Sequence, residues 1–172
     1  MKYIILLRGI NVGGNKKLDM KSLRLFFENL GYSDVSSYIN SGNIILSSNK
    51  KLNNKKIEQA LEQQFGFTTS ILIKTSKEIK NIAKAIPAKW QNDTRQRTEV
   101  AYLFPEVDHK SIIAELPMKM EYIDVRYVKG AVILHLLRKN YSKSRLNKLI
   151  GHKLYKSMTM RNVNTARYLA NI

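Results

Sequence analysis

A glycine-rich loop near the start of the chain carries the residues best suited to bind an anion. It spans residues 8–17, follows the apolar run 3–7, and mixes glycine with cationic and amide side chains. Glycines allow backbone N–H groups to converge on a phosphate, and a following helix adds the positive end of its dipole. The candidate ligand-binding residues of this loop are Arg8, Gly9, Asn11, Gly13, Gly14 and Lys16. An alternative stays open, because the same residue types are typical of consecutive turns.

The loop does not match the established nucleotide-binding motifs. Gly9 and Gly14 have the P-loop spacing, but Lys16 comes one residue late and Lys17 stands where a Ser or Thr would hold magnesium. The dinucleotide pattern G-x-G-x-x-G is absent. The chain has no cysteine and its three histidines are isolated in the sequence. Thiolate chemistry is therefore excluded, and we expect neither a metal nor a cofactor.

Net charge is the strongest feature of the composition. The 172 residues include 30 Lys and Arg against 13 Asp and Glu, which gives a formal charge of +17. The C-terminal third has side-chain charges of one sign, since eleven Lys and Arg and no Asp or Glu lie between Val125 and Ile172. Tyrosines are interleaved with those cations, as on surfaces that neutralise phosphates and stack bases. The alternative is an ordinary solvated face whose lysines reflect codons rich in A and T.

Further candidate ligand-binding residues lie in a predicted hairpin and near the C-terminus. The hairpin turn has Asn and Gly where tight turns need them, and it contributes Ser41 and Asn43. The C-terminal region contributes Arg161 and Arg167, which we expect to bond to phosphate oxygens. It also contributes Asn162, which we expect to orient these groups together with Asn11 and Asn43. Two basic helices are predicted there, but the nine residues between them exceed the turn of about 3–4 residues in a helix-turn-helix.

The elements that must position these residues alternate between short apolar strands and amphipathic helices. The clearest helix follows Asp19, with apolar residues at i, i+3, i+4 and i+7 from Leu23. The order over the first half is βαββαβ, followed by a short helix that ends before Pro87. After an unpatterned stretch the order begins again as βαββα. A final helix from about Met160 then takes the place of the last strand.

We therefore predict an α+β protein of two ferredoxin-like (βαββαβ-type) subdomains in tandem, the second ending in a helix instead of a strand. The predicted bounds are 1–86 for the first subdomain, 87–97 for a linker and 98–172 for the second subdomain. The apolar run after Met1 is too short for a signal peptide or a membrane span, so we expect a cytoplasmic protein without a membrane partner.

Three motifs together resemble one bacterial family. They are the loop 8–14 (RGINVGG), the hairpin 38–43 (YINSGN) and the segment 159–165 (TMRNVNT), with Leu23 and Gly31 between the first two. Over nearly its whole length the chain is similar to the bacterial domain-of-unknown-function family 1697. The resemblance implies an α+β protein of two ferredoxin-like subdomains, and it implies no activity. The chain departs from the family pattern at Val163, where Trp is expected, and at Tyr168, where Lys is expected.

Three functions follow from these observations as hypotheses. The first is binding of an anionic partner, a nucleic acid or a phosphorylated ligand, by the glycine-rich loop and the basic C-terminal third. The second is a small enzyme that acts on a phosphorylated or carboxylated metabolite in a cleft between the subdomains. The third is a purely structural or partner-binding module. The sequence decides neither whether the protein is an enzyme nor its oligomeric state.

Overall fold

The computed structural model describes residues 1–12 and 17–172 and divides the chain into two compact units, Met1–Ser76 and Lys77–Ile172. The boundary therefore lies earlier than the sequence predicted. Residues 87–97, which we expected to form a linker, group with the second unit. This stretch has no apolar periodicity, but a hydrogen bond from Arg167 to Trp90 O and the stacking of Trp90 on His135 hold it in place.

The first unit is an antiparallel sheet with two helices packed on one face. Its elements in chain order are β1 (Lys2–Leu7), α1 (Met20–Asn29), β2 (Ser33–Tyr38), β3 (Asn43–Ser47), α2 (Asn54–Phe65) and β4 (Ile71–Thr75). The strand order is β2-β3-β1-β4 and every neighbouring pair is antiparallel. This is the strand order of a ferredoxin-like unit, as the sequence predicted.

The two helices form where the sequence places a cap and a helix-period apolar face. Helix α1 begins after Asp19, whose Oδ2 accepts a hydrogen bond from Ser22 N at 2.7 Å. Its residues Leu23 and Phe27 are buried against alternate side chains of β1, including Ile5. Helix α2 ends at Phe65 and is followed by a glycine in the left-handed conformation.

The second unit repeats this topology and adds two helices. Its main elements in chain order are α3 (Ser76–Lys84), β5 (Gln96–Leu103), α4 (Ile112–Glu115), β6 (Asp124–Val128), β7 (Ala131–Leu137), α5 (Tyr141–Ser144), β8 (Met158–Asn162) and α6 (Val163–Ala170). Ser76, the first residue of α3, is also the last residue of the first unit. The strand order is β6-β7-β5-β8, again fully antiparallel. The tandem α+β architecture is confirmed. Within the described part of the chain, every helix is too short or too polar to cross a bilayer.

Two details near the C-terminus differ from the sequence prediction. The last strand is present as β8, and the final helix starts at Val163 rather than near Met160. The strand escaped prediction because Arg161, a residue typical of solvated positions, is one of its buried side chains. The helix predicted after Ser142 is also shorter, since Arg145 adopts a left-handed φ of 59° that separates α5 from a 3-10 turn.

Candidate functional site

Three connections lie at one end of the first sheet: the glycine-rich loop, the β2–β3 turn and the residues before β4. The Asn11 side chain joins the first two, because its Nδ2 donates to Leu18 O at 2.9 Å and to Asn40 O at 2.8 Å. Leu18 N donates in return to Asn11 Oδ1 at 2.7 Å. Thr69 Oγ1 donates to Arg8 O at 2.8 Å and brings in the third connection. The predicted residues Arg8, Gly9, Asn11, Ser41 and Asn43 therefore meet at one end of the unit.

Polar groups at this end bond largely to one another. Asn43 is fully buried, and its Nδ2 donates to Tyr38 O and to Ser41 Oγ, both at 2.9 Å. These bonds hold the hairpin turn, so the amide of Asn43 has a structural role. The amide of Arg8 is also used, since Arg8 N donates to Ser70 O at 3.0 Å.

The middle of the predicted anion loop is not covered by the structure. Gly13, Gly14 and Lys16, three of the predicted ligand-binding residues, lie outside the described residues. Gly9 is described, has a φ of 67° and leaves open space where a side chain would stand. The convergence of loop amides on a phosphate thus stays a prediction.

The predicted C-terminal ligands Arg161 and Asn162 lie in the second unit and make structural contacts. Arg161 is 7% exposed, and its Nη1 donates to Thr159 Oγ1 at 2.9 Å and to Met160 O at 2.7 Å. Burial lowers the pKa of Arg161 to about 10, so the side chain remains a cation at neutral pH. Asn162 Oδ1 accepts from Thr165 N at 2.9 Å and caps α6. Neither side chain is presented as an exposed phosphate contact.

Arg167, the last predicted ligand, holds the stretch before β5. Its Nη2 donates to three main-chain carbonyls, those of Trp90 at 2.9 Å, Pro87 at 3.2 Å and Ala88 at 3.3 Å. Its Nη1 donates to Gln91 Oε1 at 2.8 Å. Four bonds from one guanidinium explain why a segment without apolar periodicity is ordered against the second unit.

The same stretch delivers Trp90 to a histidine that sequence reasoning left unassigned. The rings of Trp90 and His135 stack with centroids 4.8 Å apart and an interplanar angle of 8°. His135 Nδ1 lies 2.9 Å from Thr98 Oγ1, and that hydroxyl donates to Gln91 O at 2.7 Å. Because the hydroxyl proton is used there, the neutral imidazole carries its own proton on Nδ1 and donates to Thr98.

Stability of the second unit is expected to fall as the pH drops below about 6.5. Burial lowers the pKa of His135, and Lys89 acts in the same direction while Asp124 opposes it. The unfolded chain then binds a proton that the folded chain does not, so acidification favours unfolding with a slope of up to about 1.4 kcal/mol per pH unit.

Urea unfolding followed by Trp90 fluorescence between about pH 5 and pH 7 measures this slope. His135→Phe keeps an aromatic ring against Trp90 but cannot titrate, and its pH dependence is expected to be shallower. Equal slopes for the two proteins would contradict the assignment.

Exposed cations and buried leucines alternate along residues 139–156 of the second unit. Leu146, Leu149 and Leu154 pack inward in one core cluster with Leu134 of β7. The cations between and around these leucines are exposed; they are Lys139, Lys143, Arg145, Lys148, Lys153 and Lys156. We call these six residues the basic layer. None of them forms an ion pair with a residue that the structure describes.

The tyrosines interleaved with these cations are mostly engaged within the unit. Tyr127 donates its hydroxyl to Asp108 Oδ1 at 3.0 Å, and the Arg97 guanidinium lies 5.0 Å above the Tyr141 ring. Tyr155 packs against the core. These contacts give little support to the prediction that the tyrosines stack on bases. The exposed cations remain as candidate contacts to phosphate. The six cations were absent from the predicted site, although the uninterrupted run of positive charge was the signal for them.

Comparison with known proteins places the fold and leaves the chemistry open. The family model described as "Protein of unknown function (DUF1697)" matches residues 1–133. The structure of the conserved bacterial protein SP0830 from Streptococcus pneumoniae is similar, with a TM-score of 0.80 and 28% sequence identity. The match covers 99% of this chain and 97% of that chain. No curated protein matches the chain significantly.

Proposed function

We propose that this protein, which belongs to the DUF1697 family, binds nucleic acid through the phosphate backbone. Because the family is described as having unknown function, the proposal is argued from the surface of this chain. The contact surface is the basic layer of the second unit. The observation that carries the proposal is that six exposed cations lie within residues 139–156, and none forms an ion pair with a described carboxylate. Cations on such a surface neutralise phosphates and release the counterions condensed on the nucleic acid, which favours binding.

The engaged tyrosines favour contacts to phosphate over contacts to bases. With Tyr127, Tyr141 and Tyr155 held by contacts inside the unit, few aromatic faces near the basic layer remain for stacking. Lysines bind phosphate as point charges and carry no sequence information. We therefore expect oligonucleotides of different sequence to bind with similar affinity.

Affinity is expected to fall steeply with salt. If three or more phosphates are neutralised, the slope of log K against log salt is about −3 on duplex DNA and about −2 on single strands. Fluorescence anisotropy of the full-length chain with a labelled oligonucleotide measures this slope. The variant Lys143→Ala/Arg145→Ala/Lys148→Ala should bind about tenfold more weakly at low salt, with a slope shallower by about 0.7–0.9 for each phosphate contact that is lost.

A matched triple variant separates the basic layer from net charge. Lys21, Lys77 and Lys110 are exposed lysines outside the basic layer, and changing all three to alanine removes the same total charge. This control is expected to retain most of the affinity. Equal losses from the two triple variants would overturn the assignment of the surface. Binding to vesicles of anionic lipid without any binding to oligonucleotides would overturn the assignment of the partner.

A further inference from the structure

A cavity lined by cations lies in the first unit, at the end of the sheet opposite to the glycine-rich loop. It has a volume of about 600 Å³, within the range typical of small-molecule sites. Three segments form it: the connection from α1 to β2, the residues after β3 and the first turn of α2. No residue of this cavity belongs to the predicted site or to the basic layer.

The charges in this lining all have one sign. Lys50, Lys51 and Lys56 contribute to it, and none of its described lining residues is acidic. None of the three lysines forms an ion pair within the described parts of the chain. A dianionic group is the ligand that neutralises such a cluster best.

Two other cavities with cations on their walls lack this property. The cavity beside β4 combines Arg8 and Lys55 with Glu58 and Glu62, so its charges balance. The groove between α3 and α6 contains Lys80 and Lys84, but its third cation, Arg167, is already bonded to four oxygens of residues 87–91. Among the three cavities compared, only the one beside the first turn of α2 combines three cations whose side chains are outside such a network.

Local hydrogen bonds hold the backbone that carries the lysines. Ser48 Oγ accepts from Lys50 N at 3.1 Å and donates to Lys50 O at 2.9 Å, which closes the turn after β3. Asn53 Oδ1 accepts from Lys56 N at 3.0 Å and caps α2. The main chain at Lys50 and Lys56 is therefore positioned before any ligand binds, which lowers the entropy lost on binding.

The remaining walls offer neutral donors and an apolar side. Ser47 and Asn49 are polar lining residues, and Tyr32 also lines the cavity. Burial raises the pKa of Tyr32, so its hydroxyl stays neutral. Leu30, which is 43% exposed, contributes apolar surface, whereas Ile57 is only 2% exposed and contributes little. An apolar or aromatic group beside the phosphate would cover this surface.

We propose that this cavity binds a phosphate monoester with an apolar or aromatic body. Lys50, Lys51 and Lys56 surround the phosphate, the neutral hydroxyl and amide groups donate to its oxygens, and Leu30 and Tyr32 contact the body. The site lies in the first unit and the basic layer in the second, so the two proposals can be tested independently.

Phenyl phosphate is the minimal probe of this chemistry. In amide NMR spectra of the full-length chain, it is expected to cause saturable shifts confined to residues 30–33 and 47–57. Phenol, which lacks the charge, and inorganic phosphate, which lacks the ring, should each bind about tenfold more weakly. Failure of phenyl phosphate to give saturable shifts in these residues would overturn the proposal.

Paired lysine variants test the cations themselves. Lys50→Ala/Lys56→Ala should raise the Kd of phenyl phosphate about tenfold, whereas Lys21→Ala/Lys55→Ala removes the same charge from helices of the same unit and should change it less than about twofold. Equal effects of the two pairs would contradict the proposal. The basic-layer triple variant should bind phenyl phosphate as the unmodified protein does, which keeps this result distinct from loss of nucleic-acid binding.

Discussion

Replacing Gly42 by alanine is expected to destabilise the first unit by about 3 kcal/mol or more. Gly42 has a φ of 73°, which costs an L-residue about 1 kcal/mol by itself. An added Cβ would also stand 2.8 Å from Ile10 Cδ1, 2.9 Å from Ile10 Cγ1 and 2.9 Å from Leu7 Cβ. Because Leu7 Cβ is fixed to the backbone of a buried strand, it cannot move aside as a flexible side-chain end would.

Gly66 provides a matched control for this substitution. It also has a φ of 73°, but nothing lies within 4 Å of the position that its Cβ would take. Gly66→Ala should therefore cost only about 1 kcal/mol, the part due to the backbone conformation. Urea unfolding followed by far-ultraviolet circular dichroism compares the two variants. Similar losses at both positions would show that the contact with Leu7 and Ile10 has no weight.

The close approach at Gly42 also affects the end of the first sheet where the glycine-rich loop meets the β2–β3 turn. Ile10, which is 2% exposed, is seated directly on Gly42, and Leu7 N donates to Gly42 O at 2.8 Å. A side chain at position 42 would push Ile10 outward and disturb the Asn11 bond to Asn40. We expect amide NMR shifts in Gly42→Ala to spread through residues 7–12, and those in Gly66→Ala to stay near α2.

Replacing Arg167 by alanine is expected to destabilise the second unit by about 3 kcal/mol. The substitution removes four hydrogen bonds and leaves the carbonyls of Pro87, Ala88 and Trp90 without their charged donor. Bonds from a charged group are worth about 1.5–3 kcal/mol each, but bonds from one side chain are not additive. Trp90, the only tryptophan of the chain, is 8% exposed, so its release should shift the fluorescence emission to longer wavelength.

Two variants separate the geometry of Arg167 from its charge. Arg167→Lys keeps the cation but cannot reach both Gln91 and the carbonyls as a fork does, so an intermediate loss is expected. Lys156→Ala removes the same charge from an exposed position and should leave both the unfolding midpoint and the emission spectrum unchanged. An Arg167→Ala protein with the emission and midpoint of the unmodified chain would contradict the structural role.

Local patterns in the sequence were sufficient for most of the fold. The cap at Asp19, the apolar spacing from Leu23 and the turn Asn40-Ser41-Gly42 each indicate an element from a few neighbouring residues. These patterns are reliable because helix caps and amphipathic faces depend on contacts within one or two turns. The order of the elements then restricts the topology, and the tandem α+β prediction followed.

The roles of the predicted ligand-binding residues are set by contacts that local sequence patterns do not reveal. Arg161 and Arg167 resemble ligand-binding cations in sequence, yet one is buried on β8 and the other holds residues 87–91. Asn11 and Asn43 resemble ligand-orienting amides, yet their side chains bond to Asn40 O and Tyr38 O. Asn40 and residues 87–91 become neighbours of Asn11 and Arg167 only when the chain is folded, and the contact between Asn43 and Tyr38 forms when the hairpin closes.

By itself the sequence determined the number and order of most elements, the ferredoxin-like topology and the excess of positive charge, because propensity, periodicity and composition are properties of short segments. Only the tertiary structure decided which polar groups are buried, where the first unit ends, and which cations stand outside hydrogen-bond networks. The physical reason is that a buried polar group must find a partner at hydrogen-bond distance. That partner is set by the packing of elements distant in sequence, as Arg167 and the carbonyl of Trp90 illustrate.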